Sequence, residues 1–456
     1  MSPVPFLRPV IDRDSQGVAA GFLGLPPSGG PVGMTLWWSR RLLGCRLLVM
    51  KRIFFLRCFC ATRVLLAAAF ASGGGNDSDK AGIAAASGEG LGSWEKRSSF
   101  LHGRIFHSAV WAYPEMIVWG GGSDYQFFND GGLYNPVIDT WREVASTHGL
   151  SGRWAHAAVW TGREMIIWGG RGSFSASDHQ NDGALYNPYT NTWRSMSREN
   201  APQGRSQMAA VWTGVEMIVW GGTGDGGQCF NDGARYNPKT NVWTPLPMEQ
   251  APEARLEPAG VWTGDELVVW GGLMEGGSRS CGTGGRYNPQ TNSWRPLPEN
   301  GAPASSRGLS AVWTGSEMLA WGGSHLNQGD TLNIGQQTGA SYSPDTNMWQ
   351  STALENSPAG RLYHAAVWTG SEMLVWGGGD QRHGHFATGG RYDPVRRQWT
   401  TTASAGAPSG RSLMTAIWTG EGMLLYGGST GGESAFNETY YYRTTRPAPA
   451  PPPASN

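Results

Sequence analysis

Short apolar runs alternate with turn-forming residues along most of the chain, and no helical periodicity lies between them. The cleanest copy begins with HAAVWT, His156 to Thr161, followed by the turn Thr-Gly-Arg and then EMIIWGG, Glu164 to Gly170. Two apolar runs joined by so tight a turn predict a hairpin of buried strands. A third run, GALY (Gly183 to Tyr186), ends in Asn187-Pro188, where proline cannot donate to a ladder and the strand must stop. The turn YTN then leads to a fourth strand carrying Trp193. The pattern predicts four antiparallel strands, close to one another in sequence.

This unit repeats. Seven copies are led by Arg104, Arg153, Arg205, Arg255, Arg307, Arg361 and Arg411, spaced 49, 52, 50, 52, 54 and 50 residues apart. A glycine pair ends the second strand in every copy, from Gly120-Gly121 to Gly427-Gly428. Glycine is needed where the backbone takes positive φ or approaches a neighbour closely. Tyrosine precedes tryptophan by seven residues in six copies, as in Tyr134/Trp141 and Tyr392/Trp399, while the glycine-to-tyrosine distance drifts from 13 to 19. The constant connection is a structural turn and the drifting one an adaptable loop.

A di-glycine on strand two, a tyrosine on strand three and a tryptophan on strand four, at about 50-residue spacing, resemble the kelch repeat. The resemblance covers residues 94 to about 443. It implies an all-β, seven-bladed β-propeller with one four-stranded blade per repeat. The WD40 propeller has a shorter period and a Trp-Asp signature that is missing here. The seventh copy ends at Tyr442 without its tryptophan, and Trp94 stands ten residues before Arg104. The strand around Trp94 is therefore expected to complete the last blade and close the ring.

Composition adds to this picture. Of 23 tryptophans, twenty fall at three repeated positions, which marks them as core between blades. The propeller region holds 25 basic and 30 acidic residues, so no basic face for nucleic acid is expected. Residues 1–49 show no periodicity and form an unassigned extension. Met50-Lys51-Arg52 then precede an apolar stretch ending at Ala69-Phe70-Ala71, which resembles a signal peptide over 50–71. Arg57 and Arg63 make that stretch too charged for a transmembrane span. A Gly/Ser-rich linker follows over 72–92, the propeller occupies 93–446, and a Pro-rich tail runs over 447–456. The expected location is outside the cytoplasm: periplasmic, secreted or cell-surface. In that setting Cys229 and Cys281, in the variable loops of adjacent blades, are candidates for a disulfide.

Strand alternation places the loops after strands two and four on one face, and these are the long, varied ones. Function is expected there. Seven arginines enter strand one from that face, at the channel rim. One reading is an anion-binding ring. The other is that each arginine bonds loop carbonyls or an acid such as Asp130, Asp182 or Asp232, and repetition in every blade favours this packing role. Departures from the repeat are more informative. Three residues after the arginine stand His107, His156 and His364, against Met208, Pro258, Ser310 and Met414 elsewhere. His383 and His385 form a His-x-His pair, a candidate metal site without a third ligand by spacing.

The resemblance brings two enzyme types into view, galactose oxidase with copper and the exported sialic-acid mutarotases. No residue motif here matches either, and no catalytic residue is assigned. The expectation is a binding module for a protein or a small acidic or carbohydrate ligand, acting as a monomer without a cofactor. A sugar-active enzyme is the alternative, with copper or another metal as its cofactor.

Overall fold

A computed structural model describes residues 91–444, apart from 148, 174, 176, 275–278, 305–306, 326–332 and 432–433. The N-terminal extension, the signal-peptide segment, all but the end of the linker and the Pro-rich tail lie outside the described residues. No α-helix occurs among the described residues, and so none is long and apolar enough to cross a membrane.

Seven four-stranded antiparallel sheets follow one another. In blade two the order from inside outward is Ala157–Trp160, Met165–Trp168, Gly183–Asn187 and Thr192–Ser195. The inner strands of successive blades lie side by side, and that of blade one, Ser108–Ala112, also lies against that of blade seven, Thr415–Trp418. The sheets therefore stand around a common axis as a β-propeller. In the seventh sheet the outer strand is Ser93–Arg97, paired with Thr439–Arg443 so that Trp94 faces Tyr442. In the other six blades the same register sets Tyr134 opposite Trp141, Tyr186 opposite Trp193, and so on.

The constant tyrosine-to-tryptophan spacing has a local cause. The Tyr186 hydroxyl donates to Asn191 Oδ1 at 2.6 Å, and Asn191 holds the turn with φ 53°. Tyr236, Tyr287 and Tyr342 do the same with Asn241, Asn292 and Asn347, each at 2.7 Å. Asparagine tolerates this left-handed conformation better than most residues.

Tryptophans join the blades. Trp168 on the second strand of blade two meets Trp243 on the outer strand of blade three, with ring centroids 5.3 Å apart. Trp119/Trp193, Trp220/Trp294, Trp270/Trp349, Trp321/Trp399 and Trp376/Trp94 repeat the contact at 4.8–5.8 Å. At the seam between blades seven and one, Tyr426 takes the place of the first tryptophan and meets Trp141 at 5.4 Å. Each such pair contributes roughly 0.5–1.5 kcal/mol beyond its buried area. Most outer tryptophans also donate Nε1–H to the preceding blade, as Trp193 does to the Ala145 carbonyl at 2.8 Å.

Candidate functional site

Six of the repeat-leading arginines are fully buried: Arg104, Arg153, Arg205, Arg255, Arg361 and Arg411. Each guanidinium is held by its own blade. Arg153 donates to the carbonyls of Ser151 at 3.1 Å, Gly169 at 3.1 Å and Asp182 at 3.3 Å, and pairs with Asp182 Oδ1 at 2.6 Å. The acid position is Asp130 for Arg104, Asp232 for Arg205 and Glu438 for Arg411. Thr283 and Thr388 hydroxyls fill it for Arg255 and Arg361. The arginine carbonyl is used too, accepting the second glycine's N–H from the preceding blade, as Arg153 does from Gly121 at 2.8 Å. None of the six lines the central cavity.

Arg307 is different, and this corrects the idea of seven equivalent arginines. It stands six residues before Trp313, whereas the other six stand seven before theirs. Because side chains alternate along a strand, a one-residue slip turns this arginine to the other side. The register agrees: Arg307 pairs with Ser324, the place that Trp154 takes opposite Arg171 in blade two. Ser310 consequently occupies the position of Ser108 and Thr415, and Leu309 is the true counterpart of the three histidines.

Those histidines sit at three seams. His156 Nε2 shares a hydrogen bond with Ser108 Oγ of the preceding blade at 2.8 Å. His364 does so with Ser310 at 2.6 Å, and His107 with Thr415 at 2.7 Å. Where the preceding blade carries alanine instead, at Ala157, Ala209, Ala259 and Ala365, the next blade has Met208, Pro258, Leu309 and Met414. Burial, then the adjacent Arg153 charge, pushes His156 down to about 3. The same causes take His364 to about 3, and burial with the Arg104 charge holds His107 well below its ordinary value. Burial thus keeps all three neutral at neutral pH, and all three line the central cavity.

Between arginine and histidine lies the position that reading the sequence did not single out. It is Phe106, Ala155, Gln207, Glu257, Gly308, Tyr363 and Leu413, one from each blade, all with φ between 50° and 63°. This conformation sends one N–H to the previous blade's carbonyl: Ala155 to Phe106, Gln207 to Ala155, Glu257 to Gln207, Tyr363 to Gly308 and Leu413 to Tyr363, at 2.9–3.1 Å. The result is an open hoop at the channel mouth, made of two hydrogen-bonded backbone arcs, Phe106 to Glu257 and Gly308 to Leu413 in blade order. The signal was available, since this position changes in almost every copy.

A cavity of about 340 Å³ opens inside the hoop, lined by residues of all seven blades. On one side Glu257 gathers three partners. Gln207 Nε2 donates to Oε1 at 2.7 Å, the Tyr363 hydroxyl reaches both oxygens at 3.1–3.2 Å, and Arg307 Nε lies 3.5 Å from Oε2. Arg307 also stacks over the Tyr363 ring at 5.5 Å. Burial, then the Glu257 charge, raises the Tyr363 hydroxyl well above its ordinary value, so it remains a donor.

The remaining candidates lie away from the hoop. His383 is exposed and bonds Asp380 through Nδ1 at 3.0 Å, while His385 is half-buried and lowered by desolvation. Among the described residues no group of three or more His, Cys, Asp or Glu side chains could hold a metal ion. Cys229 and Cys281 are both buried, with no disulfide between them in this structure. Cys229 bridges Thr223, the place that Ser280 takes opposite Leu273 in blade four. Cys281 is one residue further on and matches Phe230, whose ring covers Arg205 at 4.0 Å. The two thiols therefore occupy different positions in their loops.

Fold and site together define a β-propeller whose variable residues are presented around one end of its channel. The KLHDC2/KLHL20/DRC7 Kelch-repeats domain model matches residues 93–272, 155–314 and 308–453. The chain belongs to the kelch-repeat propeller family, whose members commonly bind other proteins. No curated protein sequence matches it significantly.

Proposed function

We propose that this chain is an exported, monomeric kelch propeller that binds a protein partner through its long-loop face, centred on the channel mouth. The supporting observation is the hoop. Residues that differ from blade to blade converge there on one cavity, whereas residues common to every blade are spent on packing. The occupied arginines argue against an acidic ligand held by an arginine ring. Affinity capture with the chain from Ser72 onward tests the reading. Capture should fall with Glu257→Gln or Tyr363→Phe and persist with Val395→Ser, which alters an exposed turn on the other face. Equal capture by all three would overturn it. Export is tested by N-terminal sequencing of secreted material, which should begin at Ser72.

One observation favours a second reading, a sugar-active enzyme: Glu257 and Tyr363 pair a carboxylate with a phenol beside a ligand-sized cavity. Polarimetry of reducing sugars with the purified chain, abolished by Glu257→Gln, would support it.

A further inference from the structure

The hoop side chains divide into two arcs. Blades seven, one and two contribute Leu413, Phe106 and Ala155, while blades three, four and six contribute Gln207, Glu257 and Tyr363; Arg307, outside the cavity lining, contacts the last two. We infer that the cavity binds an uncharged group with one apolar face and one hydrogen-bond-donating edge, the chemistry of a phenol or an indole. This rests on the long-loop face being the binding face.

Three features lead to that class. The volume of about 340 Å³ is at the small end of ligand cavities and suits a single ring system rather than an extended molecule. The Glu257 charge is balanced by Arg307, which does not itself line the cavity but lies 3.5 Å from Oε2. A cationic ligand would have to compete with Arg307 for Glu257 and an anionic one would be repelled by Glu257, each at a desolvation cost that nothing offsets. The histidines at the hoop's base add no charge, since each gives Nε2 to a hydroxyl of the neighbouring blade. The wall is also rich in acceptors. The Glu257 carboxylate, the Gln207 carbonyl oxygen and the Tyr363 oxygen all accept, so the ligand's O–H or N–H is the complementary group. The opposite arc offers Phe106 and Leu413 to the ring face.

Such a group could be an aromatic side chain of the protein partner or a free small molecule, and the experiment separates them. Calorimetric titration of the chain with p-cresol and with indole should show saturable binding at one site. The charged relatives p-hydroxybenzoate and tyramine should bind at least about tenfold more weakly. Ala155→Phe should block the cavity without removing a hydrogen bond, because Phe106 already occupies the equivalent place with φ 53° against 50° for Ala155. Leu413→Trp fills the same space from blade seven and serves if the first variant does not fold. Absence of saturable binding by both neutral probes, preference for a charged relative, or indifference to both variants would overturn the inference. Displacement of a captured partner by p-cresol would assign the cavity to a partner side chain; undisturbed capture would assign it to a free small molecule. A failure to capture any partner would leave the p-cresol result standing, so the two ideas fail separately.

Discussion

The three buried histidines make the most direct link between a residue and a measurable property. A histidine ordinarily titrates near 6.5, and burial holds these three far lower in the folded chain. As pH falls below about 6.5, the unfolded chain takes up protons that the folded one refuses. Stability is therefore complete above that pH and declines below it, by up to about 1.4 kcal/mol per unit for each histidine. Urea unfolding between about pH 7 and pH 5, above the ordinary carboxylate range, should show this decline. The double variant H156M/S108A copies the seam that Met208 makes with Ala157 and should make the slope shallower. An unchanged slope would contradict the assignment. The histidines were visible in the sequence as breaks in the repeat, but their role was not. Seeing it requires reading each one against the hydroxyl or alanine of the blade before, a comparison that only the ring topology suggests.

At the scale of the element, the glycine pair and the arginine are one device. A Cβ on Gly120 would lie 2.7 Å from His156 Cε1 and 3.0 Å from the Arg153 carbonyl oxygen, both in the next blade, and its φ is +68°. Gly162, in a short turn, has φ +89° but nothing within 4 Å. Gly162→Ala should therefore cost only conformational strain, about 1–2 kcal/mol. Gly120→Ala should cost at least about 1 kcal/mol more, because a packed seam must also shift. Equal losses would show that the seam contact is unimportant. The pattern of strands, the glycine pairs and the tyrosine turns were all legible from periodicity, because they answer to local backbone needs. Arg307 was misread because spacing was measured from arginine to arginine, while register depends on its distance to Trp313. Inserting one alanine between Arg307 and Gly308 restores seven residues. We expect thermal stability to be kept while p-cresol binding is lost, as the arginine moves into the packing slot. Retained binding would separate Arg307 from the site.

The whole molecule depends on both ends of the repeat region meeting in one sheet. Trp94 donates to the Ala403 carbonyl at 3.0 Å and packs on Trp376 at 5.2 Å, so Trp94→Ala should destabilise the propeller by about 3–5 kcal/mol. Seven near-identical blades would make a symmetric ring with nothing to distinguish one direction from another. The hoop breaks that symmetry into an apolar arc and a polar arc, and the proposed function rests on this division. Site-specific photo-crosslinking tests it most directly. A photoreactive residue would replace, in turn, Tyr125 or His383 on the long-loop face and Tyr189 or Val395 in the turns of the opposite face, all exposed. We predict partner crosslinks from the first pair only, diminished by Ala155→Phe in the same chain. Crosslinks from Tyr189 or Val395 that ignore Ala155→Phe would place the binding face at the other end of the channel and contradict the account.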